Sequence, residues 1–272
     1  MKKLMFAIAA VAAGTVLADV TSANIVGYST KNVANGARVM SVAPFVPVSG
    51  DMTEMTIGQA FAPTTTEWAD MELVTHNDNV TSQKEFYYLP QAVIDDDPDT
   101  FDGFEAGWYF VDEYGDPDLE AGCQNAEVLP YGQGCVLIGL VDDLGSTSAG
   151  EVLSKKVELD VPNGARRMTG NALPRAIDIN EIKGGTDEWA DIELVTYDDN
   201  VTSQQEFYYL PQAVIDDDPE TFDGFKAGWY FVDEYGDPDL EAGRQELPVP
   251  AGQGFVIIGL VDGASYIIPK PL

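Results

Sequence analysis

Two acidic turns recur in this chain. The first is Asp112-Glu113-Tyr114-Gly115-Asp116-Pro117-Asp118, repeated as Asp233-Glu234-Tyr235-Gly236-Asp237-Pro238-Asp239. The second is Asp95-Asp96-Asp97-Pro98-Asp99 with Asp102, repeated as Asp216-Asp217-Asp218-Pro219-Glu220 with Asp223. Calcium takes about six to eight oxygens, commonly from flexible loops. A reversal at Gly115 and Pro117 brings carboxylates two and four positions apart onto one concave side. Asp112, Asp116 and Asp118 are therefore the candidate calcium ligands, with Asp233, Asp237 and Asp239 in the second occurrence. Neither turn follows the EF-hand pattern, whose Gly and closing Glu fall elsewhere. The competing reading is a solvated acidic loop whose charge keeps sheet edges apart.

Rings flank these turns. Trp108 and Tyr109, with Trp229 and Tyr230, are the candidate ligand-binding pairs, because exposed rings beside carboxylates suit sugar binding. The competing reading places them in the core, where the bodies of Trp and Tyr usually lie. A paired-carboxylate hydrolase is the enzyme reading, and it requires a carboxyl separation that only coordinates supply.

Cys123 and Cys135 lie twelve positions apart, and Arg244 and Phe255 replace both in the second half. Joint presence and joint loss fit a disulfide in an exported protein. Closing that loop would contribute about 3 kcal/mol by chain entropy. Two unpaired thiols are the alternative. His76 is the single histidine, with Tyr197 at the matching place. It is expected at an exposed strand end, and it cannot support a triad or a zinc site alone. No Gly-x-Ser-x-Gly elbow or phosphate-binding glycine loop occurs, so no catalytic residue is assigned.

The elements holding these residues come from a repeat. Glu67 to Gly122 and Glu188 to Gly243 differ at six of 56 positions. Looser similarity extends outward. Asn35-Gly36-Ala37-Arg38 matches Asn163-Gly164-Ala165-Arg166, and Gly132-Gln133-Gly134 matches Gly252-Gln253-Gly254. Each copy is then a unit of about 120 residues, an ordinary domain size. The expected division is a signal peptide over 1–18, a first copy over 19–142, a linker over 143–151 and a second copy over 152–272. The segment Asp143 to Glu151 has linker composition.

Short runs of Val, Ile, Tyr and Phe alternate with turn residues, which predicts strands. In the first copy they fall near Asn24 to Val33, Arg38 to Val48, Met71 to Thr75, Glu85 to Leu89, Gly107 to Val111 and Cys135 to Val141. The last is nearly all apolar, as in a strand covered on both faces. Ile57 to Phe61 and Ile177 to Ile182 are each expected to form one helical turn. The fold class is all-β: two tandem antiparallel β-sandwich or small-barrel domains from an internal duplication.

Lys2, Lys3, the apolar stretch from Leu4 to about Ala13 and the Val16-Leu17-Ala18 cleavage pattern read as a signal peptide cut after Ala18. That apolar stretch is shorter than the roughly 20 residues a bilayer needs, and no later one would span as a helix. The chain carries 46 acidic against 14 basic residues, a net charge of −32 with pI near 4.1. Such a surface repels nucleic acid and anionic membranes. With 45% hydrophobic and 10% aromatic residues, the chain still buries a core and does not read as disordered.

Three motifs carry a resemblance. Asn24-Ile25-Val26-Gly27-Tyr28 follows the signal segment, Gly107-Trp108-Tyr109 precedes an acidic turn, and Leu129-Pro130-Tyr131-Gly132-Gln133-Gly134 precedes an apolar strand. Together they resemble a loose group of secreted bacterial β-repeat proteins. The resemblance implies export and a β-fold, and it implies no catalytic residue. Cys135 departs from the aromatic usual at its place, which Phe255 keeps. The expected function is a non-enzymatic structural or adhesive protein at the cell surface, periplasmic or extracellular. Calcium-dependent carbohydrate binding is the alternative. Surface components, glycans among them, are the expected partners.

Overall fold

Cys135 to Ile138 contain no polar residue, and a strand of that kind must bury both faces. The computed structural model describes residues 26–47, 54–77, 79, 81–152, 156–197, 203–239 and 241–268. The segment 1–18 expected to direct export lies outside them, as do Asn24, Ile25 and Val48 of the expected strands.

The first copy contains β1 (Val26–Val33), β2 (Arg38–Val42), β3 (Glu54–Thr56), α1 (Ile57–Ala60), β4 (Ala62–Pro63), β5 (Met71–His76), β6 (Gln83–Leu89), α2 (Gln91–Asp96), β7 (Gly107–Tyr109), β8 (Val128–Pro130), β9 (Gly134–Gly139) and β10 (Leu144–Glu151). The second contains β11 (Val157–Asp160), β12 (Arg166–Gly170), β13 (Ile177–Asp178), a 3-10 turn (Ile179–Glu181), β14 (Lys183–Gly184), β15 (Ile192–Tyr197), β16 (Gln204–Leu210), α3 (Gln212–Asp217), β17 (Gly228–Tyr230), β18 (Pro248–Val249), β19 (Gly254–Gly259) and β20 (Ser265–Ile268). The protein is all-β, with short helices only. No helix among the described residues is long and apolar enough to cross a membrane.

Each strand of the second copy takes the place of the strand numbered ten lower. The order β2-β9-β5-β6-β7 recurs as β12-β19-β15-β16-β17, and β1-β10-β4 recurs as β11-β20-β14. Pairing within these sheets is antiparallel. The sheets stay separate, so the arrangement is sandwich-like and not a closed barrel.

Alternation along β9 and β19 explains the layers. Cys135 and Leu137 face the first copy's core with Leu73, Phe86 and Trp108. Phe255 and Ile257 face the second copy's core with Leu194, Phe207 and Trp229. Val136, Ile138, Val256 and Ile258 point the other way, into a third cluster with Met40, Val74, Met168 and Val195. That cluster joins the two five-stranded sheets back to back. The central strands are apolar throughout because each serves its own core and the seam.

The expected linker over 143–151 is instead largely β10, paired with all eight residues of β1 from Val26 opposite Glu151 to Val33 opposite Leu144. Its Gly, Ser and Ala content suggested a flexible joint, but a small-residue strand serves equally where a partner strand supplies the hydrogen bonds. Two further corrections concern extent. β2 ends at Val42, and β7 at Tyr109. Helical turns form at Ile57–Ala60 and Ile179–Glu181, as expected, and the sequence reading did not anticipate α2 or α3.

The copies also exchange turns. Tyr131 of the first copy enters the second copy's core and donates its hydroxyl proton to the Ala172 carbonyl at 2.7 Å. Thr169 Oγ1 donates to the Gly132 carbonyl at 2.6 Å. In return the second copy's Gly252 carbonyl accepts from the Val42 amide at 3.0 Å and from Ser41 Oγ at 3.3 Å.

Candidate functional site

The repeated acidic turn is a small, fully organised hairpin. Val111 bridges Pro117, the Asp112 amide donates to the Asp116 carbonyl at 2.9 Å, and the Asp118 amide donates to the Phe110 carbonyl at 2.9 Å. Gly115 sits at φ +90°, a left-handed conformation that other residues resist. Asp112 Oδ1 accepts from the amides of Tyr114 at 2.8 Å and Asp116 at 3.0 Å. This is the local side-chain bonding that favours Asp in turns. Asp118 Oδ1 accepts from the Ala121 amide at 3.0 Å. The half-buried Trp68 reaches across to donate its indole N–H to the Gly115 carbonyl at 3.0 Å.

The second copy reproduces this geometry. Asp233 Oδ1 accepts from Tyr235 and Asp237, Asp239 Oδ1 from Ala242, and Trp189 clamps Gly236 at 3.0 Å. Two of the three candidate calcium ligands in each turn therefore hold backbone amides. Among the described residues, no three His, Cys, Asp or Glu side chains gather as a metal-holding group. The structure does not bring Asp112, Asp116 and Asp118, or Asp233, Asp237 and Asp239, together in that way.

What the turn presents is a ring. Tyr114 is 82% exposed and Tyr235 81%. The sequence reading missed these two residues and their Trp clamps. The available signal was an aromatic residue next to the turn glycine, where no core can reach it.

The rings proposed to bind ligand lie inside. Trp108, Tyr109, Trp229 and Tyr230 are at most 2% exposed. Each polar handle is satisfied by backbone. Trp108 donates to the Phe61 carbonyl at 3.1 Å and Trp229 to the Ile182 carbonyl at 2.9 Å. Tyr109 donates to the Glu105 carbonyl and Tyr230 to that of Lys226. Trp108 and Phe110 share one face of their segment, as alternation requires, and pack on the same core. These residues are core supports and take no direct part in a surface site.

Cys123 and Cys135 are both free thiols. The register shows why they do not bond. Cys135 stands opposite Thr75, which stands opposite Lys84. Cys123 lies against Gly107, which pairs with Leu89, five residues farther along β6. At about 3.3 Å per residue that offset alone exceeds 15 Å, far beyond the roughly 7 Å limit between bonded Cα atoms. Cys135 is fully buried, and desolvation pushes its thiol up to about 12.

His76 is the last residue of β5, as expected, but it is not exposed. It is half-buried and lines a cleft of about 290 Å³ at the seam between the sheets, with Arg38, Glu72, Glu85 and Tyr197. Burial lowers its pKa, favouring the neutral imidazole. Burial, then Glu85, raises the pKa of Glu72, while Arg38 and a hydrogen bond with Tyr87 oppose the shift. Glu193 repeats this environment, with burial and Glu206 raising its pKa against Arg166. The same balance in both copies fits groups that belong to the seam.

Compared with known protein families, curated proteins and solved structures, the chain matches none.

Proposed function

We propose that this chain is an exported, non-enzymatic adhesive protein that offers two equivalent tyrosine-tipped acidic turns to glycans outside the cell. The observation that carries the reading is the near-complete exposure of Tyr114 and Tyr235 on turns built with the same hydrogen bonds. An aromatic ring on a backbone already fixed loses little conformational freedom on binding. A Tyr ring offers a face for stacking on a sugar, and the neighbouring carboxylates accept hydrogen bonds from hydroxyls. Glu113, Asp116, Glu234 and Asp237 supply that chemistry on either side. Two equal sites in one chain also allow avidity, by factors of about 100 or more where both engage together.

The test is binding of the mature chain to a glycan array and to isolated envelope polysaccharide. Tyr114→Ala with Tyr235→Ala should abolish binding, and each single variant should retain weak, monovalent binding. A double variant that binds as the parent does would refute the reading. So would a polysaccharide hydrolase screen in which the chain turns over its substrate.

A further inference from the structure

The two copies differ at several positions where they meet. Counting from the matched Asn35-Gly36 and Asn163-Gly164 turns, Lys31 corresponds to Leu159. Counting from Gly139 and Gly259, Ser146 and Ser148 correspond to Tyr266 and Ile268. The pairing agrees, since Lys31 stands opposite Ser146 and Leu159 opposite Tyr266. Tyr131 likewise corresponds to Ala251.

In the second copy this region is solid core. Tyr266 and Ile268 are each 1% exposed, Leu159 packs beside them, and the Tyr131 ring closes the space from the first copy. In the first copy the large apolar groups are replaced by two serines and a lysine, and the closing ring by a methyl group. A cleft of about 210 Å³ results, lined by Ser29, Lys31, Ser146, Ser148, Phe61 and Leu137 and capped by the turn at Gly252.

Directly opposed residues in an antiparallel pair share a face. Ser29, Lys31, Ser146 and Ser148 therefore point into the cleft together. Ser146 and Ser148 are 3% and 5% exposed, and neither hydroxyl has a hydrogen-bond partner. Buried hydroxyls without partners are uncommon and costly, and a cavity beside them implies an occupant. Lys31 brings positive charge to the same place, its ammonium donating to the carbonyls of Gly252 at 2.8 Å and Met40 at 3.2 Å.

We infer that this cleft binds a short-chain carboxylate, its oxygens on the Ser146 and Ser148 hydroxyls beside Lys31 and its carbon chain against Phe61 and Leu137. Hydroxyl and ammonium protons both donate, so the complementary group is an acceptor, and a carboxylate offers two oxygens. The apolar wall selects against a bare inorganic anion. At about 30 Å³ per water-sized group the cleft holds roughly seven heavy atoms, the size of butyrate or pentanoate.

The experiment is calorimetric titration of the full chain with butyrate, with butanol, phosphate and sulfate as comparisons. Butyrate should bind, and Ser146→Ala with Ser148→Ala should weaken it at least tenfold. That variant should fold with undiminished thermal stability, since it removes unpartnered hydroxyls. Ala251→Tyr, which restores the ring that closes the equivalent space, should abolish binding. The inference fails if butyrate does not bind, leaving ordered water as the occupant. It fails equally if the double serine variant binds as the parent does, or if phosphate or sulfate binds in preference to butyrate.

Discussion

Replacing Tyr131 with Ala should cost more stability than its place on a surface turn suggests. The ring is 6% exposed and belongs to the core of the other copy. A Tyr side chain buries roughly 150 to 250 Å², worth about 4 to 6 kcal/mol at about 25 cal/mol per Å². Aromatic truncations in cores cost about 3 to 5 kcal/mol in practice, so about 4 kcal/mol is expected here. Tyr131→Phe separates the hydroxyl from the ring. It removes the 2.7 Å bond to the Ala172 carbonyl and should cost about 1 to 2 kcal/mol. Urea unfolding at constant m-value measures both. Hydrogen exchange adds location: the amides of β12 and β20, in the second copy, should lose protection although the substitution lies in the first. A Tyr131→Ala loss below about 1 kcal/mol, or lost protection confined to the first copy, would refute the account of turn exchange.

Three other outcomes follow from the same geometry. Without reductant, the unfolded chain should titrate two thiols, and in the folded chain Cys123 alone should alkylate, because the fully buried Cys135 thiol stays protonated with its pKa pushed up to about 12; a mass showing an intramolecular disulfide would contradict this. Glu193 has a pKa raised above its ordinary 4.5, chiefly by burial. The folded state then holds its proton more tightly than the unfolded state, so its contribution to stability falls as pH rises from about 4.5 through the raised value. Glu193→Gln should therefore melt higher than the parent near pH 7, with the gap closing below pH 4.5; an unchanged gap across the series would show that desolvation does not govern the site. Calcium should raise the melting temperature no further than magnesium at matched ionic strength, because Asp112 and Asp118 already accept backbone amides. A calcium-specific rise lost in Asp116→Ala with Asp237→Ala would place a cation at the turns.

The parts of the fold legible in the sequence are those whose causes are local or periodic. β5, β6 and β9 announce themselves by branched and aromatic residues, and the double burial of β9 by its lack of polar residues. The reversal after Val111 is legible because Gly115 permits the left-handed backbone the turn needs and Pro117 fixes its own φ. β10 is not legible, since Gly145 to Gly150 carry nothing that distinguishes a strand from a linker until β1 is seen beside them. The thiol pair misled for a related reason: twelve residues of separation permit a bond, and only the sheet register shows that they run apart. The candidate site divides in the same way. The acidic turn could be located, but whether its rings face water depends on where Trp68 and Trp108 go. Trp68 clamps the turn and Trp108 fills the core, and no neighbouring residue type distinguishes them.

The distribution of change between the copies then acquires a physical reading. The near-identical passage builds β5, β6 and β7, which run from the middle of each five-stranded sheet to its edge, and the acidic turn, so both copies present the same ring on the same clamp. Outside that passage the copies diverge, and the differences include β1, β10 and Tyr131 against Ala251 in the turn before β9, where the copies meet. Two equal units in one chain cannot both insert a large ring across a shared seam unless both receiving faces have room for it. Here one face is apolar and receives Tyr131, and the opposite face is polar and receives only Ala251. The seam therefore closes firmly on one side and leaves a cleft on the other. An asymmetric contact between near-equal halves lets one side hold the molecule together while the other is free to take a ligand, and it does so without altering the turns that both copies display.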